Sequence, residues 1–542
     1  MAPRASRSNS AAALSCRTCA CTMTYRLPVA LLACVIFAAL CVAFVLLRPL
    51  LPLDETRYLT VAWEMWIGGS KLVPHLNGDL YGHKPPFLFW LVNIVWAIGG
   101  VSELAARLVA PSFGVFSVAL TALLARQLWP EQTDRGGRAA LILATTGVFL
   151  LFGSATMFDA MLTASVLLAM IALWHLVHDG RARWAVLLGA AVALGVYAKG
   201  PVVLVHVVPT ALLAPVWRDR TTSLPLARYL LRLGQALLVA LGLVALWLVP
   251  ALLLGGAEYR EEVLWRQSAG RVVQAFAHQR PWWWFLAVLP IYLWPWAWSP
   301  AALAALSPRA LAREEGSRFL VVWALSALVA FSFISGKQTH YLLPELPSVA
   351  LLLAASTREG SRGWRVFAFL PALLLFVLGP ALALGVIGTA DLPDLSMPLV
   401  PVLAAMALVA LLAGALWRVP GQVAATAFVA PLTLLAFHAL AATILALTHD
   451  PSRIGRILAA HQDAGLAIQE AGYHGQFGFA GRLSVPLNVV PRPEDVAAWA
   501  AAHPGGIIVS EHPLDAQGYS VIARQPFRGG VYTIYQVAKE AS

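Results

Sequence analysis

Long uncharged apolar segments, separated by short stretches rich in arginine, dominate this chain. The first runs from Leu27 to Leu47 without one charged residue. A helix rises about 1.5 Å per residue, so this segment is long enough to cross a hydrocarbon layer about 30 Å thick. Of the 542 residues, 59% are hydrophobic and only 12% are charged, whereas soluble domains carry about a quarter charged residues. The sequence therefore predicts an α-helical polytopic membrane protein.

The arginines predict how the helices are oriented. The apolar segments amount to about 13 transmembrane helices if residues 86–103, which are short for a span, lie along the membrane surface. Every loop then assigned to the inside is rich in arginine, as at Arg181 and Arg358, which the positive-inside rule requires. The first apolar segment is long for a cleaved signal peptide. We therefore expect residues 1–26 to be a cytoplasmic tail and the C-terminus to lie outside.

The net charge and the cysteines exclude two other classes of protein. The basic residues behind the charge of +11 lie in short loops between apolar segments. In such loops they orient transmembrane helices, so their distribution argues against a nucleic-acid-binding protein. All five cysteines lie at or before Cys41, so no disulfide can brace the downstream part. Cys16, Cys19 and Cys21 have the spacing of metal ligands, but no second pair completes a site. We expect reduced thiols there, with a metal site as the alternative.

Residues 449–542 differ from the rest of the chain, with seven Lys/Arg and eight Asp/Glu. Apolar strand-like runs at 505–510 and 531–537 alternate with amphipathic helical runs at 454–472 and 493–503. This pattern predicts a small soluble α/β domain, which we place in the periplasm. It contains no catalytic motif, so structural support and contact with an acceptor both remain open.

The chemistry is expected in the loop after the first span, within an outer loop of residues 50–103 of a transmembrane domain that spans 27–448. This loop opens with the letters DETRY at Asp54 and closes with HKPP at Pro86. Charged groups so close to a membrane are costly unless they are paired or used. The alternative is an ordinary polar loop with interfacial aromatic anchors.

A second signal is a set of basic residues that the topology places outside, against the positive-inside rule. Lysine and arginine at headgroup level can neutralise a lipid phosphate, so we interpret the set as a phosphate-binding cluster, against loose solvated charge as the alternative. Its members are Lys71, Lys84, Lys199, Arg260, Arg266, Arg271, Arg280 and Lys337.

These motifs resemble those of the aminoarabinose transferase and protein O-mannosyltransferase families, which are GT-C membrane glycosyltransferases that use lipid-phosphate-linked sugars. The resemblance rests on DETRY, the Leu76-Asn77-Gly78 turn, Tyr81 and the Lys-Pro-Pro that ends at Pro86, and it covers roughly residues 28–360. It implies Asp54 and Asp159 as catalytic acids. The substrate-binding residues that we predict are Glu55, Arg57, Tyr58, Tyr81, Lys84, Lys199, Arg271, Lys337 and Tyr341.

Two of these assignments have alternatives. Asp159 stands at the outer edge of a predicted span, where it could instead be a helix N-cap. The family usually has an acid before Lys-Pro-Pro that helps to hold a divalent cation, whereas this chain has His83. Histidine also binds zinc, with His278 or His340 as partner. We therefore predict no certain cofactor. A divalent cation held by His83 and His278 is the candidate. The alternative is that His83 only forms hydrogen bonds.

The predicted function is transfer of a sugar from a polyprenyl-phosphate donor to a lipid or protein acceptor. The acceptor would be lipid A, another envelope glycolipid or a protein hydroxyl. The predicted location is a bacterial inner membrane with the active site on the periplasmic side, and no nucleic-acid partner is expected. The alternative is a polyprenyl-lipid or sugar transporter without transferase chemistry, although the ionisable groups gather at one face and no internal repeat is evident.

Overall fold

The structure is a computed structural model of the chain. It describes residues 27–219, 224–269, 279–298, 308–312, 314–356, 365–383, 399–419, 422–514 and 518–538. The predicted tail of residues 1–26, with Cys16, Cys19 and Cys21, lies outside the described residues, as do Arg271 and His278.

The transmembrane part is a bundle of apolar helices. Among the described residues, eight helices are long and apolar enough to span a membrane, and a ninth span results if the bent pair α5 and α6 is counted as one. The other four predicted spans fall on shorter or interrupted helices, which begin at Val203, Trp284, Leu346 and Arg365. The helices in the first half of the chain are α1 (Leu27–Leu47), α2 (Asp54–Trp66), α3 (Phe87–Gly99), α4 (Glu103–Leu128), α5 (Asp134–Ala144), α6 (Gly147–Gly153), α7 (Phe158–Asp179) and α8 (Ala182–Lys199).

The remaining helices complete the bundle and lead into the C-terminal part. They include a π-helix at Glu262–Ala269 and 3₁₀ turns at Trp296–Trp298, Thr339–Glu345 and Gln462–Ala464. The α-helices are Val203–Leu212, Ala214–Trp217, Leu226–Leu254, Gly256–Glu261, Trp284–Tyr292, Pro308–Leu311, Glu315–Phe333, Leu346–Ser356, Arg365–Ala383, Leu399–Arg418, Gln422–Thr426, Val429–Thr448, Ser452–Ala459 and Pro493–Ala502.

Helix α7 is the centre of the bundle. Nearly all of its side chains are buried, and α4 and α8 pack directly against it. By contrast, helix Leu226–Leu254 leaves most of its leucines exposed, as a lipid-facing helix does. Because α7 begins at Phe158, the bundle fixes the backbone position of Asp159 at one end of its core.

The predicted outer loop is folded. Its first part is the helix α2, whose residues Tyr58, Leu59, Ala62 and Met65 are buried. A short hairpin follows, formed by β1 (His75–Leu76) and β2 (Asp79–Leu80). Its turn residues Asn77 and Gly78 have φ of 56° and 83°, which is the left-handed conformation that an Asn-Gly hairpin turn requires. The prediction of a turn at this dipeptide is therefore confirmed.

The C-terminal part contains a five-stranded mixed sheet. The strands are β3 (Leu466–Gln469), β4 (Asn488–Val489), β5 (Ile507–Ser510), β6 (Tyr519–Phe527) and β7 (Gly530–Val537), in the order β4-β3-β5-β7-β6. Strands β3, β4 and β5 are parallel, whereas β7 runs antiparallel to β5 and β6.

The α/β character agrees with the sequence pattern, but one predicted element is wrong. The helical run expected over 454–472 ends at Ala459, and Leu466–Gln469 is the buried strand β3. A short apolar run fits a buried helix and a strand equally well by periodicity. Pairing on both sides with β4 and β5 decides for the strand.

The sheet domain packs against α2. The Thr60 hydroxyl donates to the Gly475 carbonyl at 2.8 Å, and the Phe479 backbone N–H donates to the Thr60 hydroxyl at 2.9 Å. Asn77 exchanges two hydrogen bonds, of 2.9 and 2.8 Å, with the backbone of Leu487. The outer loop and the C-terminal domain therefore lie on the same side of the bundle.

Candidate functional site

Helix α2 presents Asp54 at its first turn. Half of the Asp54 side chain is exposed (50%), and the Tyr58 hydroxyl, one helical turn on, donates to Asp54 Oδ1 at 3.2 Å. An Arg57 Nη1 lies 3.8 Å from the same oxygen, while Arg57 Nε is buried and donates to none of the described groups. Asp54 is thus held in place yet accessible, as a carboxylate that meets a substrate must be.

The next residue, Glu55, faces the opposite way. Its side chain is 6% exposed and forms a bidentate pair with Arg48, whose Nη2 lies 2.7 Å from Oε1. Arg107 Nη2 lies 3.6 Å from Oε2. The backbone N–H groups of Leu51 and Thr156 also donate to the carboxylate, at 3.3 and 3.0 Å.

These partners explain the acidity of Glu55. Burial alone would raise the pKa of its carboxyl, but Arg48 and Arg107 outweigh burial and lower the pKa to about 2. Its predicted role in substrate binding stays a prediction. The contacts favour a structural role, because the carboxylate is buried and is held by two arginines and two backbone N–H groups.

Asp159 lies in the first turn of α7 and is paired, not used as a cap. The helix N-cap is Met157, with no side-chain cap, so the N-cap interpretation of Asp159 is wrong. Its Oδ1 accepts a hydrogen bond from Lys199 Nζ at 2.6 Å. Lys199 Nζ also lies 5.0 Å from the centre of the Tyr341 ring, a cation–π contact. The end of α8 and the turn before Leu346 therefore deliver two predicted residues to Asp159.

Lys84 reaches the same place from the outer loop. Its Nζ lies 5.8 Å from the centre of the Phe158 ring, and it interacts electrostatically with Asp159. Tyr58 packs edge-on against the same Phe158 ring at 4.8 Å. The two predicted catalytic acids, Asp54 and Asp159, are thus linked through Tyr58 and Phe158 into one cluster with Lys84.

His340 belongs to this cluster, although the sequence suggested it only as a metal partner. Its ring lies 5.1 Å from that of Tyr341, and it interacts electrostatically with Asp159, Lys199 and Lys84. Burial, together with Lys199 and Lys84, lowers the pKa of His340 to about 4, although the nearby Asp159 acts in the opposite direction. At neutral pH this imidazole is therefore uncharged, and it can act as a hydrogen-bonding group beside the lysines.

Tyr81 and His83 line the edge of the cluster. Tyr81 is buried, 6.3 Å from the Phe89 ring and 5.2 Å from the His83 ring. His83 Nε2 lies 3.5 Å from Glu262 Oε1, so two groups of ligand type meet there. Across the residues that the structure describes, no group of three or more His, Cys, Asp or Glu side chains could hold a metal. The predicted partner His278 lies outside that part of the chain.

The structure buries Lys337, which the sequence predicted to bind the substrate. The residue is 3% exposed, and its Nζ donates to the carbonyl oxygens of Ile334 and Arg280, the latter at 3.0 Å. These contacts tie two outer turns together. Contact with a donor phosphate stays a prediction for Lys337, and would require it to exchange a carbonyl partner.

The C-terminal domain brings one group to the site that the sequence did not indicate. His474 interacts electrostatically with Arg57 and Asp54, and burial together with Arg57 lowers its pKa. It precedes Gly475, which bonds to Thr60 on α2. No local motif marks this histidine, because its neighbours in space are more than 400 positions away in sequence.

Known proteins share both sequence and fold with this chain. A family model described as dolichyl-phosphate-mannose-protein mannosyltransferase matches residues 83–249. An undecaprenyl phosphate-alpha-4-amino-4-deoxy-L-arabinose arabinosyl transferase of Pseudomonas fluorescens is 34% identical over 316 residues, which are 55% of this chain and 52% of that protein. A transferase of the same description from Pseudomonas aeruginosa is 32% identical over 312 residues, or 55% of this chain and 54% of that protein. The chain spans about half the length of these curated relatives.

The fold agrees with solved structures over nearly the whole chain. The crystal structure of ArnT from Cupriavidus metallidurans bound to undecaprenyl phosphate has a TM-score of 0.71 at 18% identity, covering 95% of this chain and 98% of that one. Its apo state gives 0.70 at 19% identity, with 94% and 99% covered. At such identity the likeness establishes the fold, and it is the GT-C type with a small C-terminal sheet domain that the sequence predicted.

Proposed function

We propose that this chain, which resembles the aminoarabinose transferase and protein mannosyltransferase families of GT-C enzymes, is an integral-membrane glycosyltransferase that takes its sugar from a polyprenyl-phosphate donor. The observation that carries the proposal is the convergence of Asp54, Asp159, Lys84 and Lys199 at one end of the bundle core. The names of the relatives, which denote transferases of lipid-phosphate-linked sugars, support it.

The donor's leaving group is a lipid phosphate, and the cluster can stabilise its charge. We assign the phosphate contact to Lys84, which the outer loop brings to the cluster with its Nζ 5.8 Å from the centre of the Phe158 ring. A positive charge that is already in place where the leaving group becomes negative lowers the activation barrier, because the protein does not have to rearrange during the reaction. The neutral His340 and the Tyr341 ring lie beside these lysines.

The two acids have different tasks in this mechanism. Asp54 is half exposed and held by Tyr58, so it can orient an acceptor, or remove the proton from an acceptor hydroxyl as a general base. Asp159 is buried and paired with Lys199, so it positions that ammonium group and balances its charge within the cluster. A phosphate acceptor is already ionised and would need only positioning, for which Arg57 offers a positive charge.

The finer assignments are part of the same proposal. The relatives' names favour an amino-deoxypentose on undecaprenyl phosphate as donor. The acceptor would be lipid A or another envelope glycolipid. A protein hydroxyl is the alternative acceptor, because a protein mannosyltransferase family model matches residues 83–249. The site would face the periplasm from the inner membrane. His83 and Glu262 are the described side chains that could contribute to a divalent cation site, where a cation would add positive charge near the donor phosphate.

Mass spectrometry of the cell envelope tests the proposal. Lipid A and envelope glycoproteins would be compared with and without the gene, and after complementation with wild type or with Asp54→Asn. We expect one sugar-sized mass difference on one class of acceptor, restored by wild type only. An unchanged envelope under conditions in which the protein is expressed would contradict the proposed function.

A further inference from the structure

A pocket of about 450 Å³ lies between α2 and α3, separate from the catalytic cluster. Helix α3 buries Leu88, Phe89, Val92 and Trp96 against α2 and the core. The neighbouring stripe of α3 faces the pocket. The side chains that matter for its chemistry are Trp66, Lys71, Trp90, Asn93, Ile94 and Ala97.

The mouth of the pocket is polar and fixed in place. Lys71 Nζ donates to the Met65 carbonyl and to Asn93 Oδ1, the latter at 3.3 Å. An ammonium group has three N–H donors, so one remains for a ligand. The Trp90 indole N–H donates to the Lys71 carbonyl at 2.6 Å, and Asn93 Nδ2 donates to the Ala62 carbonyl at 2.8 Å. The cation and the amide are therefore held at the rim by neighbours on both helices.

The surroundings place this rim at headgroup level. The Trp90 ring lies 6.1 Å from Tyr197 and 6.5 Å from Trp247, and such aromatic groups mark membrane–water interfaces. On α3, Ile94 in the pocket wall and Ile98 beside the pocket are 54% and 84% exposed. Exposed isoleucines one turn apart suit contact with lipid chains. The sequence predicts that residues 86–103, which include this helix, lie along the membrane surface.

We propose that this pocket binds an anionic phospholipid of the surrounding membrane, with one acyl chain between Trp66 and Ala97 and the phosphate on Lys71 and Asn93. The pocket walls are mainly apolar, whereas its rim offers one cation and one amide. That combination matches a chain with a phosphate at its end. The bound lipid would brace α2 against α3, and the proposal does not depend on the transfer reaction.

Photo-crosslinking of the purified full-length protein tests this site. The probe is phosphatidylglycerol with a photoreactive group in one acyl chain, and labelled peptides are mapped by mass spectrometry. We expect adducts within residues 65–97. Lys71→Gln should reduce them about tenfold at limiting lipid, since a charged contact is lost, and Ala97→Trp should reduce them similarly by filling the pocket.

Matched variants separate the site from general lipid contact. Ile98→Trp adds the same indole one residue away on the outward face, and Arg492→Gln removes a positive charge from the exposed surface of the C-terminal domain; neither should change the adducts. Equal labelling of Lys71→Gln and wild type, or equal labelling by a phosphatidylcholine probe, would overturn the proposal. Displacement of the probe by undecaprenyl phosphate would also overturn it, because the pocket would then belong to the donor.

Discussion

Glu55 Oε1 accepts a hydrogen bond from the backbone N–H of Thr156 at 3.0 Å. One buried carboxylate thereby joins the helix that begins with Asp54 to the segment that leads into Asp159. Arg48 and Arg107 hold the same carboxylate from the end of α1 and from α4. The spacing of the two predicted catalytic acids therefore depends on a carboxylate that bonds to neither of their side chains.

Replacing Glu55 with Gln should destabilise the protein by about 3 kcal/mol or more, because it leaves the buried Arg48 without a counter-charge and Arg107 with only the partly exposed Glu103. The midpoint of thermal unfolding in detergent measures the effect. Glu103→Gln is the matched control, since Glu103 pairs with the same Arg107 at 3.0 Å but is 39% exposed. It should cost less than about 1 kcal/mol, and equal shifts for both variants would show that the Glu55 network is not special.

The same carboxylate predicts the pH dependence of stability. The pKa of Glu55 is about 2 in the folded protein and about 4.3 when unfolded. Its stabilisation is therefore complete above about pH 4.3 and is lost as the pH falls towards about 2, an effect of up to about 3 kcal/mol. Unfolding midpoints measured from pH 6 down to pH 3 should fall less steeply for Glu55→Gln than for wild type. Parallel curves would contradict the assignment.

Asp54→Asn should reduce transfer at least about 100-fold, as expected for loss of a group that acts as general base or orients the acceptor. Its fold should remain intact, because half of the side chain is exposed. The measurement is the rate of sugar transfer by purified protein of equal stability. Asp79→Asn, an exposed change on the same outer loop, is the control. Wild-type transfer by a well-folded Asp54→Asn protein would remove Asp54 from the catalytic groups.

Lys84→Ala should weaken binding of undecaprenyl phosphate by about tenfold or more, because a charge-assisted contact to phosphate is lost. Lys84→Arg, which keeps the charge, should retain much of the affinity. Titration of each purified variant with undecaprenyl phosphate gives the dissociation constants. If Lys84→Ala bound as tightly as wild type, its contact with Phe158 would be structural only.

The topology can be tested with single cysteines in a cysteine-free background. Because the Thr60–Gly475 and Asn77–Leu487 contacts join the outer loop to the C-terminal domain, cysteines at Ser70 and Ser484 must share one side. Both should react with an impermeant thiol reagent in intact cells, whereas Ala182→Cys, in an arginine-rich turn, should react only after permeabilisation. Ser70 and Ser484 on opposite sides would contradict the architecture.

The sequence predicted those features that depend on residues close together along the chain. Uncharged segments such as Leu27–Leu47 predicted spans, and a turn was expected at Leu76-Asn77-Gly78. It did not reveal the contacts of Glu55, because Arg48, Arg107 and Thr156 come from three other segments. Its letters place Glu55 beside Asp54, but only the helix geometry of α2 shows that consecutive residues point in different directions.

The positions of Lys337 and His474 also could not be predicted from the sequence, because they depend on contacts between distant segments. Lys337 stands in an outer turn, where the sequence favoured phosphate binding, yet tertiary packing buries its ammonium group against two carbonyls. His474 approaches Asp54 only because the C-terminal domain docks on α2. Contacts between distant segments decide both positions, and periodicity or spacing along one segment carries no information about them.

Reconstituted transfer by the purified protein tests the central claim most directly. The protein in liposomes would receive undecaprenyl phosphate carrying a 4-amino-4-deoxypentose, with lipid A in one sample and a hydroxyl-bearing acceptor protein in another. The account predicts that free undecaprenyl phosphate and glycosylated acceptor appear in equal amounts, and that neither appears with Asp54→Asn. A protein that moves the intact donor across the bilayer, with the sugar still on its carrier and no acceptor modified, would contradict it.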